Sequence, residues 1–317
     1  MLDRGYAVTV LDDMSGGFAE NVPAAARLVQ GSVLDTALLE DLCTQHSYTA
    51  IYHLAAYAAE GLSHFIRSFN YQHNLIGSVN LINAAVRHRV RRFVFTSSIA
   101  VYGAGQVPML ESTAPQPEDP YGISKYAVEL DLKSAHEMFG LAYTIFRPHN
   151  VYGELQNIGD RYRNVIGIFM NQIMANQPLT IFGNGEQKRA FSYVDDVARP
   201  MVDCLDLPDT CQQIFNIGAD QPYSVNELAQ AVMHAMGQQV PIQHLEARNE
   251  VLDAYSDHSK IAKFFPNLRP PTSLPDGLAR MAAWAKKVGA RQTRLFMDVE
   301  LWDRLPASWE AEFSQKR

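Results

Sequence analysis

Residues 91–103 read RRFVFTSSIAVYG, and the parsing of the whole chain turns on this stretch. Phe93, Val94 and Phe95 form a short apolar run without alternation, the pattern of a strand buried on both faces. The run ends on the small hydroxyl residues Thr96, Ser97 and Ser98. On its N-terminal side, Asn74 to Arg87 repeats apolar residues at helical spacing (Leu75, Val79, Leu81, Ile82, Val86). On its C-terminal side, Tyr121 to Met138 reads as a long helix and LAYTIFRP, residues 141–148, as the next strand. Further out, AIYHL at 50–54 is a strand, and YAVTVL at 6–11 is another that closes on Asp12 and Asp13 before a turn at Gly16 and Gly17. Strands alternating with helices in this way predict an α/β protein, a mostly parallel sheet with helices on both faces.

Beyond residue 150 the periodicity loosens. NVIGIFMNQIMA at 164–175 is a helix, 178–183 a short strand before the turn-rich NGEQ, and IFNIG at 214–218 a strand. A helix follows over 225–236, with Ser224 placed to cap it. Met170, Met174, Met233 and Met236 fall at helical spacings and read as core. After Pro266 the chain is Pro-rich, then helical around 278–287. The expected organisation is one α/β unit over 1–150, to which 186–220 returns. A smaller lobe covers 151–185 and 221–285, and 286–317 forms a tail.

Composition narrows the function classes. Hydrophobic residues make up 47 % of the 317 and charged residues 19 %, ample for a packed core. Lys and Arg number 27 against 34 Asp and Glu, a formal charge of −7, which argues against a binder of nucleic-acid polymers. Cys43, Cys204 and Cys211 form no CxxC pair, so neither a structural zinc site nor a disulfide framework is expected. No spacing of His, Cys and carboxylates suggests a catalytic metal. No apolar stretch reaches the length of a membrane span, and MLDRGYAVTVLDD lacks the pattern of a signal peptide. A cytoplasmic protein without membrane partners is expected.

The chemistry-bearing constellation is Ser98 at a strand end, with Tyr121 and Lys125 in PYGISK. Residues four apart on a helix share a face, so phenol and ammonium point into one cleft. The ammonium favours the phenolate, which can take a proton from a carbinol while hydride leaves the carbon. A serine hydroxyl at a strand end can hold the same oxygen. Asp12, closing an early strand, is placed to accept the ribose hydroxyls of an adenosine and to repel a 2′-phosphate, favouring NAD over NADP; a turn carboxylate is the equal alternative. Arg147, Arg189 and Arg248 are candidate diphosphate contacts, with ordinary ion pairing as the commoner role. His53, at a strand end, reads as structural.

These motifs together resemble the extended short-chain dehydrogenase/reductase family in its nucleotide-sugar epimerase branch. The resemblance rests on HLAA at 53–56, FTSSIAVYG at 95–103, YGISK at 121–125, RPHNVYG at 147–153 and IFGNGEQKRAFSYVDDVA at 181–198, and covers about residues 1–285. It implies a Rossmann-like, doubly wound parallel sheet with a smaller C-terminal substrate lobe. It also implies an NAD-dependent epimerase that inverts C4 of a UDP-sugar through a transient 4-keto intermediate, with UDP-glucose and UDP-galactose as the default pair. In that family Tyr121 is the acid/base, Lys125 its electrostatic partner and a cofactor ligand, and Ser98 the group that holds the sugar hydroxyl. Asp12 and Asp13 hold the adenosine ribose, Leu54, Ala55 and Ala56 line the cofactor channel, and Asn74 supports its backbone. Asn150, Asn164, Arg189, Arg248 and Glu250 correspond to contacts of the sugar nucleotide, although the family's phosphate-contacting arginine would fall on Ala247, one place before Arg248. A homodimer through the helices over 75–86 and 123–138 is the family's expected assembly.

Alternatives remain within and beyond that branch. A 4,6-dehydratase typically carries Asp-Glu where this chain has Ile99 and Ala100, neither of which can move a proton. Ala254, small at a position that gates sugar-ring size, leaves UDP-N-acetylglucosamine open as a substrate, and UDP-glucuronate is another. The non-enzymatic alternative is a truncated, inactive nucleotide-binding member. The family pattern opens with a β-strand and a G-x-x-G-x-x-G turn, and here MLDRG reads as the end of the helix that follows them. The expectation is a misplaced start or a fragment of an ordinary epimerase; the other account is a protein of this length with weak or no cofactor binding. Protein of these 317 residues is therefore expected to purify without bound NAD and to turn over little. Stoichiometric NAD with normal turnover in a purified sample would rule that out.

Overall fold

The computed structural model describes residues 1–248, 251–292, 296 and 298–314. The chain opens with β1 (Thr9–Asp12), β2 (Arg27–Gln30), α1 (Thr36–Gln45) and β3 (Ala50–His53). Two short helices follow, α2 (Glu60–Ser63) and α3 (Arg67–Tyr71). A π-helical turn at Gln72–Ile76 then leads into α4 (Gly77–Arg87). Next come β4 (Arg92–Thr96), α5 (Pro120–Phe139), β5 (Tyr143–Pro148), β6 (Val151–Tyr152), α6 (Val165–Met174), β7 (Leu179–Phe182), β8 (Lys188–Ala190) and β9 (Ser192–Tyr193). The remainder is α7 (Val194–Asp203), β10 (Gln213–Ile217), β11 (Pro222–Ser224), α8 (Val225–Met236), β12 (Ile242–Leu245), β13 (Asp253–Ala254), α9 (Ser259–Phe264), α10 (Leu274–Val288) and α11 (Ala307–Ser314).

The main sheet is wholly parallel, in the order β10-β5-β4-β3. Its central strand explains the apolar run that sets the parsing. Side chains alternate across a strand, so Phe93 and Phe95 face one way and Val94 the other. Phe93 and Phe95 pack with Leu81, Ala84 and Ala85 of α4 and with Val128 and Leu132 of α5. Val94 packs with Phe146 and Phe215 against Val197 and Met201 of α7 and Ile261 of α9. Helices thus cover both faces, as the alternation predicts, in the Rossmann-like arrangement that the resemblance implies. β1 and β2 form a separate parallel pair, and among the described residues no strand pairing joins β1 to β3.

The later part of the chain builds a second core. α6, α8 and α10 pack together around Phe169, Met170, Leu228, Val232, Met233, Leu278 and Met281, with the small sheets β7–β12 and β11–β8–β13 beside them. The expected cap of α8 is present in full. The N–H of Glu227 donates to Ser224 Oγ (3.1 Å) and the N–H of Ser224 donates to Glu227 Oε2 (2.7 Å), a reciprocal capping box. No helix among the described residues is long and apolar enough to cross a membrane.

The tail docks back on the body. Phe296, Val299, Trp302, Leu305 and Trp309 join Tyr57, Leu62, Phe65, Ile66 and Phe69 in one aromatic-rich cluster. The Glu300 carboxylate accepts from the N–H groups of Ser68 and Phe69 (2.8 Å each), satisfying donors at the start of α3. Trp309 is buried and meets Phe65, Tyr162 and Phe182 edge-on. Trp309→Ala is expected to cost about 3 kcal/mol, in the range for a buried aromatic truncated to Ala, and to lower the thermal midpoint. A variant that melts with the wild type would show that this tail is not docked.

Candidate active site

The site begins with the way α5 meets the end of β4. Asp119 caps the helix, its Oδ1 accepting from the N–H of Gly122 (2.9 Å), and Pro120 occupies the first turn, where no intrahelical N–H is needed. A Cβ on Gly122 would lie 2.5 Å from the Ala100 carbonyl oxygen. Only glycine therefore lets the first turn of α5 rest on the tight turn Ile99–Tyr102. Ser98 starts that turn, its Oγ accepting from the N–H of Ala100 (3.1 Å). Residues distant in sequence are so brought together: Ser98 interacts with the Tyr121 phenol, and Lys125 donates from Nζ to the Thr96 carbonyl (2.7 Å). The Lys125 ammonium lies 4.8 Å from the Phe95 ring centroid and 5.8 Å from that of Tyr121.

Burial dominates the electrostatics. It pushes the Tyr121 phenol above its ordinary range; Ser98 opposes this, Glu60 and Asp119 reinforce it, and Arg163 opposes it weakly. The lowering of this phenol expected from its lysine neighbour does not appear in the protein alone, where desolvation, which disfavours any charged form, governs. Burial also pulls Lys125 down to about 7, against the opposing charge of Glu129. His53 is pulled down to about 3, by burial first and then by Lys125. Ser78 donates its hydroxyl to the Asn74 carbonyl (2.6 Å), so the 2.7 Å contact with His53 assigns the ring proton to Nε2. His53 is a neutral, structural histidine.

The residues expected along a dinucleotide line the ends of the parallel strands. Asp12 closes β1, with Oδ1 accepting from the N–H of Met14 (2.7 Å) and Oδ2 facing Gly17. Asp13 makes the equivalent turn to Ser15 (2.8 Å). Leu54 and Ala55 are exposed just after β3, and Ala56 is half-buried. Asn74 is buried, and its amide is consumed by the chain. Its Oδ1 accepts from the N–H of Tyr57 (2.7 Å), while its Nδ2 donates to the Tyr57 carbonyl (3.1 Å) and to Asn70 (2.7 Å). It shapes the segment after HLAA rather than presenting a free polar group. Thr96 Oγ1, Gln156 Oε1 and Asn157 Oδ1 are buried without a hydrogen-bond partner, and Asn157 Nδ2 reaches across to the Gly16 carbonyl (3.2 Å). The orphaned atoms of Thr96, at the end of β4, and Asn157, beside the turn after β1, are what a polar ligand along these ends would satisfy.

On the lobe side, Asn150 donates to the Ala190 carbonyl (3.0 Å) and Asn164 caps α6 while donating to the Val151 carbonyl (2.9 Å). Arg189 ties its guanidinium to the carbonyls of Lys188, Val251 and Leu252, and Arg248 stacks over Phe182 at 4.5 Å. Glu250 lies outside the described residues. Ala254 sits in β13, paired with Arg189 of β8. Arg147 is not a diphosphate contact. It is buried in an ion pair with Glu129, donating from Nε at 2.9 Å, because it points into the core beside α5 rather than out of the sheet end. Glu129 and Asn70, whose Nδ2 donates to the Pro120 carbonyl (2.9 Å), are site-shaping residues that the sequence analysis missed. The spacing of Glu129, four residues after Lys125, was the available signal.

A protein-family model described as the NAD dependent epimerase/dehydratase family matches residues 1–218. The putative UDP-glucose 4-epimerase of Methanocaldococcus jannaschii is 31 % identical over 289 residues, 90 % of this chain and 92 % of that protein. Among solved structures, UDP-glucose 4-epimerase from Thermotoga maritima, with UDP-glucose, superposes with a TM-score of 0.85 at 29 % identity, covering 90 % of this chain and 93 % of that one. The UDP-glucose 4-epimerase of Thermus thermophilus, in complex with NAD, gives 0.83 at 26 % identity, with coverages of 90 % and 93 %.

Gly122→Ala is expected to destabilise the protein by about 1–3 kcal/mol, since the added methyl meets backbone rather than a movable side chain. Urea denaturation reads this directly. An unshifted midpoint would mean that α5 does not rest on Ala100.

Proposed function

The chain belongs to the NAD dependent epimerase/dehydratase family, and from that premise we propose that it is an NAD-dependent UDP-sugar 4-epimerase, with UDP-glucose and UDP-galactose as its pair. The observation that carries this reading is the convergence of Ser98, Tyr121 and Lys125 at the end of a buried parallel strand, where α/β proteins bind ligands. NAD, when bound, supplies the acceptor and then the donor of a hydride. Asp12 is assigned the adenosine ribose, with Asp13 behind it. Leu54, Ala55 and Ala56 form the apolar wall, which Asn74 holds in place.

Tyr121 Oη takes the proton of the sugar C4 hydroxyl as the C4–H bond gives up its hydride, and the carbon becomes a ketone. Lys125 carries the positive charge that makes the buried phenolate tolerable, and Ser98 hydrogen-bonds the same sugar oxygen. After the keto sugar turns over in the site, C4 regains hydride on its other face and Tyr121 returns the proton. The hydride and the hydroxyl proton together carry away two electrons and two protons, and all of them come back, so no net oxidation occurs. Arg189, Arg248, Glu250 and the loops held by Asn150 and Asn164 are assigned to the UDP-sugar. Residues 1–150 with 186–220 are assigned as the cofactor-binding unit and 151–185 with 221–285 as the substrate lobe, except that α9 within the latter span packs on the main sheet.

Ile99 and Ala100 favour this reading over a 4,6-dehydratase, since neither can pass a proton to C5 or C6. Ala254 leaves room for UDP-N-acetylglucosamine, and UDP-glucuronate is a further substrate to include. The proposed assembly is a homodimer. Ile123 and Leu130, exposed on the face of α5 opposite Tyr121 and Lys125, are among the apolar positions available to it, with Met138 further along α5 and Ile76 just before α4. Three free thiols suit a reducing cytoplasm.

The test is a product assay over these UDP-sugars with NAD supplied. Interconversion of UDP-glucose and UDP-galactose, however slow, is the expected product pattern, and Tyr121→Phe is expected to lower its rate about 10²- to 10⁴-fold without unfolding the protein. Undiminished turnover by that variant, or a dehydrated 4-keto-6-deoxy product, would overturn the assignment.

A further inference from the structure

Tyr121, Lys125 and Glu129 stand four residues apart on α5 and form one stripe against the end of β4. Successive residues of that end are tied to the stripe. The Thr96 carbonyl accepts from Lys125, the Ser97 hydroxyl donates to Glu129 Oε1 (2.5 Å), and Ser98 interacts with Tyr121. Behind the stripe stands Arg147 of β5, its side chain and that of Glu129 each only 2 % exposed. The Arg147 guanidinium in turn lies 4.7 Å from the Tyr102 ring centroid, and the Tyr102 hydroxyl donates to Asn216 of β10 (2.7 Å). The network therefore runs from the candidate site across three strands of the main sheet.

We propose that Glu129 is the positioning residue of this site: it locks α5 to the β4 end through Ser97 and to β5 through Arg147, and it supplies the counter-charge of the Lys125 ammonium. The groups facing Lys125 support the second role. On α5 they are Tyr121 and Glu129, on β3 the neutral His53, and on β4 the Phe95 ring and the Thr96 carbonyl. The phenol is held protonated by burial, so the negative charge in this set is that of Glu129. Arg147 donates to both oxygens of the same carboxylate, sharing Oε1 with the Ser97 hydroxyl. The effect on turnover rests on the epimerase reading; the effect on Lys125 does not.

Glu129→Gln retains volume and a partner for Ser97 but removes the charge. Because it leaves Arg147 buried without a counter-ion, the double variant Glu129→Gln/Arg147→Gln is made beside it. Titration of the Lys125 side chain by nitrogen-15 NMR in the full-length protein is expected to move down by about one pH unit in either folded variant. Glu129→Asp, which keeps the charge, is expected to restore most of that shift. In turnover of UDP-glucose with NAD supplied, kcat is expected to fall off at lower pH on the alkaline side, because the Lys125 cation is lost earlier as pH rises. KM should stay within about twofold, since the UDP-sugar contacts are untouched. An unmoved Lys125 titration in a folded variant overturns the proposal whether or not the protein epimerises UDP-sugars. A moved titration in a protein inactive toward every UDP-sugar would uphold it and sink the epimerase reading instead.

Discussion

The structure depends on one close approach, the first turn of α5 lying on the turn that follows β4. A helix can come that near to a carbonyl only where it has no side chain, and Gly122 provides this against Ala100. Everything chemical follows from the contact. It sets Tyr121 beside Ser98, lets Lys125 reach the Thr96 carbonyl, and aligns Glu129 with Ser97. A shift of one residue along the helix would turn the stripe by about 100° and separate all three pairs.

The main sheet makes that contact rigid. β4 is sandwiched between β3 and β5, and its side chains are buried alternately against α4 and α5 on one face and α7 and α9 on the other. A strand in that position has no freedom to slide, because a one-residue slip would send Phe93 and Phe95 to the wrong layer. The same burial has an electrostatic cost at the site. It disfavours the charged forms of Tyr121, Lys125 and His53 together, so each ionic state needs a specific partner. The Glu129–Arg147 pair supplies one such partner from within the core.

Much of this arrangement was legible from residues near one another in the chain. The apolar run at 93–95, the helical spacing over 74–87 and 121–138, and the Ser224 cap each follow from local rules, and the observed elements match them closely. The short strand at 27–30 and the helices at 36–45, 194–203 and 259–264 were not anticipated. Pro200 inside α7 reads locally as a helix breaker although it is buried beside Val197 and Met201, and the short faces of the others become definite only against a neighbour. Arg147 illustrates the limit most clearly. As an isolated arginine before a proline it suits a phosphate, yet the fold turns it inward to a carboxylate eighteen residues earlier in the chain.

The sequence by itself determined the α/β class, the strand that ends two residues before Ser98, and the i, i+4 spacing of Tyr121 and Lys125, because each is encoded within a span of a few residues by periodicity and spacing. Tertiary structure alone decided which polar groups are spent on holding the chain, as with Asn74 and Asn164, and which face the candidate site. It also decided the protonation tendencies of the site and the role of Glu129. The physical reason is that burial and long-range contacts govern those properties, and neither is a function of neighbouring residues in the chain.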